Sequence, residues 1–492
     1  MYEQTKGRLK LRTSALRAYT MLLALMVIWL FFQWATISET HPYGLFLGAI
    51  NFSKLLQQTA VTGVLAVGML MVIVSGNIDL SVGAVVGLAG GIAAMTQDWG
   101  LLPCLAAAIV VGLLIGMLQG ALVAYINIPA FIVTLGGLQA WRGLILKFTQ
   151  GATVPVELPV FRSLGRDFID PRIGFVLAAI GIAAIVWTNL RRTRARRRHG
   201  LQALSVAAMA TRIIIPSVAV VAFVFLMNKA GGIPIPVIFL LAVALAGAFL
   251  TTNTTFGRYL YAIGGNPDAA RLSGINLKRY VLAAFCVMGA LAGLASILHT
   301  ARVGSASPDA GTLMELDAIA SCVIGGTSLM GGRGTVFGAV LGALILASLD
   351  NGMSLLNVEN WAQYVVKGGV LVAAVGFDMF GRRKGWVGCQ NRERSGVTRA
   401  ARGGWWERPD QESSSSVTIA ASGLSYRKRN ERIRGIHVEI QIPSLPLRVL
   451  THGPPLRQTR LRRRFRRHKS ARRQYRFQRA HSRTPQSSDS CF

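Results

Sequence analysis

Apolar runs of about 20 residues, broken by short polar connections, recur along most of this chain of 492 residues. A bilayer core about 30 Å thick is crossed by about 20 helical residues, and inside it every backbone polar group must be paired within the protein. These runs therefore restrict the fold to an all-α polytopic membrane protein. Ala18–Ile37, Leu55–Ser75, Leu101–Tyr125, Ile173–Leu190, Ile233–Leu250, Tyr280–Leu298 and Trp361–Phe380 read as spans, joined by Ile128–Leu146 and Ile213–Met227. Leu80–Met95, Leu313–Leu329 and Thr335–Leu349 are shorter and rich in glycine, so they read as broken or re-entrant helices. That makes ten to twelve transmembrane or re-entrant segments in all.

Charge divides the chain into regions of different physics. The net charge is +32 although only 15% of residues are charged, and 27 of the 53 basic residues lie between Gly381 and Phe492. Residues 1–17 form a basic N-terminus, 18–384 a membrane domain, and 385–492 an Arg-rich tail whose lack of hydrophobic periodicity predicts disorder. No small-residue cleavage site follows the first apolar run, which reads as a retained span. The five cysteines are widely separated and form no C-x-x-C pair, so neither a metal site nor a disulfide framework is indicated.

Cytoplasmic loops carry the Lys and Arg excess. The basic N-terminus, Arg191–Arg198, the group Arg258, Arg271, Lys278 and Arg279, and the group Arg382, Arg383 and Lys384 are separated by even numbers of the segments above. All four can face the cytoplasm, with both termini inside. Because lipid gives helices no hydrophobic drive to associate, small residues that let backbones approach carry the packing. Gly112, Gly116 and Gly120 share one helix face at four-residue spacing, and Gly334, Gly338 and Gly342 repeat the pattern. The two combs hint at an internal two-fold repeat; ordinary close packing explains them equally.

Between two spans, on the side assigned to the cytoplasm, lies FGRYLYAIGGNPDAARLSGINLKR. Asn266 is a good N-cap, Pro267 suits the first helical position, Asp268 suits the positive helix end, and Gly274 can close the C-terminus left-handed. A two-turn helix outside the membrane is expected, either a docking element or a plain connection. Charged groups inside apolar segments cost on the order of 3 kcal/mol even on forgiving scales, which makes them default candidates for a transport path. Asp79, Glu315, Asp317, Asp350 with Asn351, Lys367 and Arg142 qualify. Asp79 equally suits the capping of a broken helix, Glu315 and Asp317 read as caps or cation partners, and Lys367 and Arg142 as their partners or as snorkelling cations.

The runs AIGGNPDAARLSGIN, SGNIDLSVGAVVGLAGG (Ser75–Gly91) and ELDAIASCVIGGTSLMGGRGTVFGAVLGA (Glu315–Ala343) resemble those of the simple-sugar permeases of bacterial ABC importers, the ribose, galactose and xylose type. The resemblance covers about residues 18–384. Within the family, LDNGMSLLNVENWAQYVVKGG (Leu349–Gly369) and the Arg-rich loop after Leu190 are most similar to the D-xylose branch.

The resemblance implies a transport subunit of the bacterial inner membrane rather than an enzyme. It implies a second permease copy as a homodimer partner, a cytoplasmic ATPase and a periplasmic sugar-binding protein. It also implies an ATPase-coupling role for Asn266, Pro267, Asp268, Ala269, Ala270, Arg271, Ser273 and Gly274. No G-x-x-x-x-G-K-S/T loop is present, so no cofactor is expected on this chain, and ATP with Mg belongs to the partner ATPase. A sugar presents hydroxyls, which adds Ser75, Asn77, Ser81 and Thr134 to the pathway candidates. Other sugars, ribose or galactose among them, and an ion-coupled secondary sugar transporter are the alternatives. For the tail, contact with membrane lipid, binding of RNA and translation of a shifted reading frame stand open, with no nucleic-acid partner expected.

Overall fold

The computed structural model describes residues 20–39, 41–198 and 206–376. The basic N-terminus and the Arg-rich tail lie outside the described residues. Helix α1 (Thr20–Ala35) turns into α2 (Ala49–Val74), followed by α3 (Val82–Met95), α4 (Leu101–Tyr125) and α5 (Ala130–Thr149). Strand β1 (Val154–Pro155), helix α6 (Pro159–Arg166) and strand β2 (Phe168–Ile169) precede the long α7 (Pro171–Arg198) and α8 (Val206–Asn228). Strand β3 (Ile233–Pro234) introduces α9 (Ile235–Asn253), then the short α10 (Thr255–Gly265) and α11 (Pro267–Leu272). The chain continues through α12 (Leu277–Val303), β4 (Ser305–Ala306), α13 (Met314–Ile324), α14 (Val336–Leu355) and α15 (residues 360–376). Seven of the described helices, α2, α4, α7, α8, α9, α12 and α14, are long and apolar enough to cross a membrane.

The helix positions follow the apolar runs, and the differences have physical causes. α7 continues through the arginines to Arg198 because arginine is a good helix former and its charge suits a helix C-terminus. α3 starts only after Gly76, held at φ +87°, has ended the preceding helix. The expected Leu313–Leu329 segment stops as a helix at Ile324, where Gly325 and the left-handed Gly326 (φ +83°) turn the chain into the loop 325–335.

α2 forms the axis of the domain, with 89% of its apolar stretch buried among α9, α12, α13 and α14. The first glycine comb does what its spacing implies. A Cβ on Gly112 or Gly116 would lie 2.2–2.3 Å from the carbonyl oxygens of Gly289 and Phe285, so α4 and α12 meet backbone to backbone. The second comb is only two-thirds right. Gly338 and Gly342 press on the carbonyls of Gly325 and Ser321 around α13, but Gly334 lies before the helix, whose N-cap is Thr335 accepting from the Gly338 N–H.

The ends gather on two faces. On one, the basic face, Gly332 N–H donates to Val74 O at the end of α2, Tyr261 Oη donates to Gly334 O, and Lys278 at the start of α12 lies over the Tyr125 ring at the end of α4. On the other, β1 pairs antiparallel with β4 and β2 with β3, while α6 packs beneath the end of α12 through Arg166, which donates to Arg302 O and Val303 O.

Candidate functional site

Two of the apolar segments, α3 and α13, form helices too short to cross the bilayer. At 1.5 Å per residue α3 covers about 21 Å and α13 about 16 Å, against an apolar thickness of about 30 Å. Their first turns meet: a Cβ on Gly83 would stand 2.1 Å from Glu315 Oε2 and 2.2 Å from Gly311 O. Gly311 itself holds φ +77° at this crossing. Two helix N-termini with their unsatisfied N–H groups are thus brought together, and each carries partial positive charge. Asp79 and Glu315 place their carboxyl groups at that point, both over nine-tenths buried.

A hydrogen-bonded chain holds Asp79. Its Oδ1 accepts from the Ser81 N–H (2.9 Å) and the Ser81 hydroxyl (2.7 Å), and that hydroxyl accepts from Gln119 Nε2 of α4 (2.9 Å). Position makes Ser81 the N-cap of α3, but its side chain makes no cap bond, so the carboxylate of Asp79 performs the N-terminal role two residues earlier. Thr134 Oγ1, fully buried, donates to Ala130 O of its own helix α5 and faces Ile78 O at 3.5 Å. Ser75 donates to Val72 O and accepts from Asn77 Nδ2, which ties the turn between α2 and α3.

Arg142 of α5 does not pair with a carboxylate, contrary to one of the sequence expectations. It donates to the carbonyls of Pro308 (2.9 Å) and Ala310 (2.8 Å), pinning the loop that feeds α13 into the domain. Glu315 Oε2 is buried without a hydrogen-bond partner beside Gly83. A second charged cluster joins three helices: Lys367 Nζ of α15 lies 3.3 Å from Asp317 Oδ2 of α13 and 2.8 Å from Asp350 Oδ2 of α14. Asn351, a pathway candidate by sequence, instead exchanges amide hydrogen bonds of 2.8 and 3.0 Å with Asn51, which clamps α14 to α2.

The expected two-turn helix is α11. Asn266 Oδ1 caps it through the Ala269 N–H, Pro267 and Asp268 fill the first turn, and Gly274 closes it at φ +80° with its N–H on Arg271 O. Ser273 returns its hydroxyl to Ala269 O. Asp268, Arg271 and Leu272 project outward, Leu272 being 89% exposed, whereas Ala270 is buried and holds α11 to its neighbours. The helix before it, α10, was not expected from sequence, and it carries the closest contact of the region. A Cβ on Gly264 would lie 1.8 Å from Val74 O and 2.8 Å from Gly332 N.

The structure thus brings Asp79, Ser81 and Glu315 to one crossing, with Thr134 beside Ile78 O just ahead of it, leaves Ser75 and Asn77 in the turn that ends α2, and sets Asp317, Asp350 and Lys367 apart as an ion-pair triad. Sequence reasoning missed Gln119, although the signal was present: it is a lone amide between Gly116 and Gly120 on the close-packed face of an otherwise apolar helix. Asn51, hidden in the opening turn of α2, gave no such signal.

Residues 51–375 match the family model described as "Branched-chain amino acid transport system / permease component". The xylose transport system permease protein of Escherichia coli K12 is 44% identical over 377 residues, 76% of this chain and 94% of that protein. Its counterpart in Haemophilus influenzae is 45% identical over 379 residues, 76% of this chain and 99% of that protein. The Escherichia coli K12 ribose import permease protein is 35% identical over 343 residues, 69% of this chain and 88% of that protein. No solved structure matches the chain significantly. With half-length helices converging inside a multi-pass membrane domain and two-thirds of its length matching one model, this chain belongs to that family of membrane permease components, among relatives that are sugar permeases.

Proposed function

We propose that this chain is the permease subunit of an ATP-driven importer that moves D-xylose across the bacterial inner membrane, with both termini in the cytoplasm. The higher identity to xylose permeases, 44–45%, than to ribose and allose permeases, 34–35%, supports xylose over other sugars. The family implies a separate ATPase and a sugar-binding protein as partners, and a second copy of the permease completes the assembly.

The observation that carries the reading is the connection from α11 to the crossing. α11 presents Leu272 to the cytoplasm as a docking knob for the ATPase. Behind it, Gly264 and Tyr261 of α10 contact the end of α2 and the loop 325–335. Those two segments lead into α3, which Asp79 precedes, and out of α13, which carries Glu315. Movement imposed on α11 by ATPase closure therefore reaches the crossing through backbone contacts that leave no slack. There Ser81, Gln119 and Thr134, hydroxyl and amide groups, suit the hydroxyls of a passing sugar.

The test is reconstitution in liposomes with the cognate ATPase and binding protein. Labelled xylose is expected to accumulate only with ATP, and Leu272→Asp is expected to leave insertion intact while cutting uptake at least tenfold. Uptake that persists without ATP and follows a proton or sodium gradient would replace this reading with an ion-coupled transporter, and preference for ribose or galactose would reassign the sugar.

A further inference from the structure

At the basic ends of α7 and α8 a cavity of about 300 Å³ is lined by Asn189, Arg192, Thr193, Arg196, Met209 and Arg212. Three exposed arginines thus border one hollow. No Asp or Glu occurs anywhere in the sequence between Asp170 and Asp268, so the hairpin supplies them with no carboxylate of its own. Two neutral donors of the wall are already used, Asn189 Nδ2 on Ile185 O and Thr193 Oγ1 on Asn189 O. Like charges gathered around a hollow repel one another unless an anion from elsewhere sits between them.

The surroundings identify the source of that anion. Only 11% of the apolar stretch of α7 and 6% of that of α8 is buried, so the hairpin stands at the rim of the domain with its flanks toward lipid. Trp187, one turn before the arginines, is 54% exposed and carries Arg191 over its ring at 4.5 Å. Tryptophan at a span's end marks headgroup depth, which puts the cavity level with the phosphates of the adjoining leaflet. Arginine forks bind phosphate oxygens bidentately, and basic pockets between spans accept anionic headgroups. We propose that this cavity is a binding site for an anionic phospholipid, with Arg192, Arg196 and Arg212 around the phosphate and the acyl chains lying along the exposed flanks of α7 and α8.

The test uses the full-length protein with a photoactivatable diazirine analogue of methionine at Met209, in vesicles of equimolar phosphatidylglycerol and phosphatidylcholine. Adducts are identified by mass, so the signal reports what lies beside Met209. At about fivefold per arginine, wild type is expected to favour phosphatidylglycerol by more than tenfold. The variant R192Q/R196Q/R212Q is expected to fall to parity, and R191Q/R194Q, outside the cavity, to keep the preference. Should the triple variant fail to insert, Arg196→Gln alone is expected to lose about fivefold. Equal labelling of the two lipids by wild type would overturn the proposal, as would a triple variant that keeps its preference or an equal loss in R191Q/R194Q. Adducts to another protein segment in place of lipid, or labelling abolished by excess inorganic phosphate, would overturn it too, assigning the cavity to a peptide or to a free anion.

Discussion

Two adjacent glycines at the end of α10 separate the proposed coupling path from its surroundings. In Gly264→Ala the added carbon would meet Val74 O at 1.8 Å and Gly332 N at 2.8 Å, whereas a Cβ on Gly265 meets nothing within 4 Å. An ordinary carbon–oxygen contact is about 3.5 Å, so α10 must retreat from α2 by well over an ångström. Both obstacles are backbone, which cannot rotate away. The displacement breaks the bond from the Gly332 N–H to Val74 O (2.9 Å) and leaves buried polar groups unpaired at about 1–3 kcal/mol each. Gly265→Ala is expected to be neutral or slightly stabilising, since alanine is favoured over glycine in helices by up to about 1 kcal/mol. Paired measurements of thermal unfolding in detergent and of ATP-dependent xylose uptake in liposomes read the two consequences. Gly264→Ala should insert, unfold several degrees lower and let the partner ATPase hydrolyse ATP with little uptake, while Gly265→Ala matches wild type in each. If both variants transport alike, α10 does not carry motion to the crossing and the proposed path is wrong.

Other expectations follow from single contacts. Lys367→Met leaves Asp317 and Asp350 facing each other unneutralised; because the three side chains remain 13–22% exposed, the cost is expected to stay below the about 3–5 kcal/mol of a fully buried ion network. Unfolding measurements should show most of that restored in the variant that also carries D317N and D350N. Gly289→Val drives a branched side chain into a helix pair where even a Cβ lies 2.1 Å from Gly112 O. The variant is expected to lose protease resistance between α4 and α12, checked by limited proteolysis. Ser81→Ala removes the link between Asp79 and Gln119 and should slow sugar uptake with ATPase docking intact, read as a fall in transported xylose per ATP. Truncation at Gly385 is expected to leave uptake unchanged, because the aligned 377 residues already account for 94% of the xylose permease of Escherichia coli.

What could be read from sequence divides along the range of the interactions involved. Spans answer to local hydropathy, and caps answer to residues three or four apart, so α4 (Leu101–Tyr125) and the Asn266 cap were both legible. The length of an apolar run also betrayed α3 and α13 as too short, but it misjudged Thr335–Leu349, which lies in the span-length α14 of 20 residues, and it did not show that the first turns of α3 and α13 meet, because Gly83 and Glu315 are far apart in the chain and joined only by packing. The same limit explains the fates of the charged candidates. Lys367 found two carboxylates, Arg142 found two carbonyls, and nothing in their composition distinguishes a cation that neutralises acids from one that staples a loop.

The glycines show the limit most sharply. Regular four-residue spacing announced the α4 face, yet the contact that ties α10 to the end of α2 belongs to Gly264, a residue outside either comb that the AIGGNPDAARLSGIN run contains without marking it as a packing glycine. A glycine is visible in sequence when it repeats along one helix. It is invisible when its reason is a single foreign carbonyl. The signs of mechanism are therefore sought in close backbone contacts between segments remote in sequence, here Val74, Gly264 and Gly332, as much as in the charged residues that hydropathy brings to notice first.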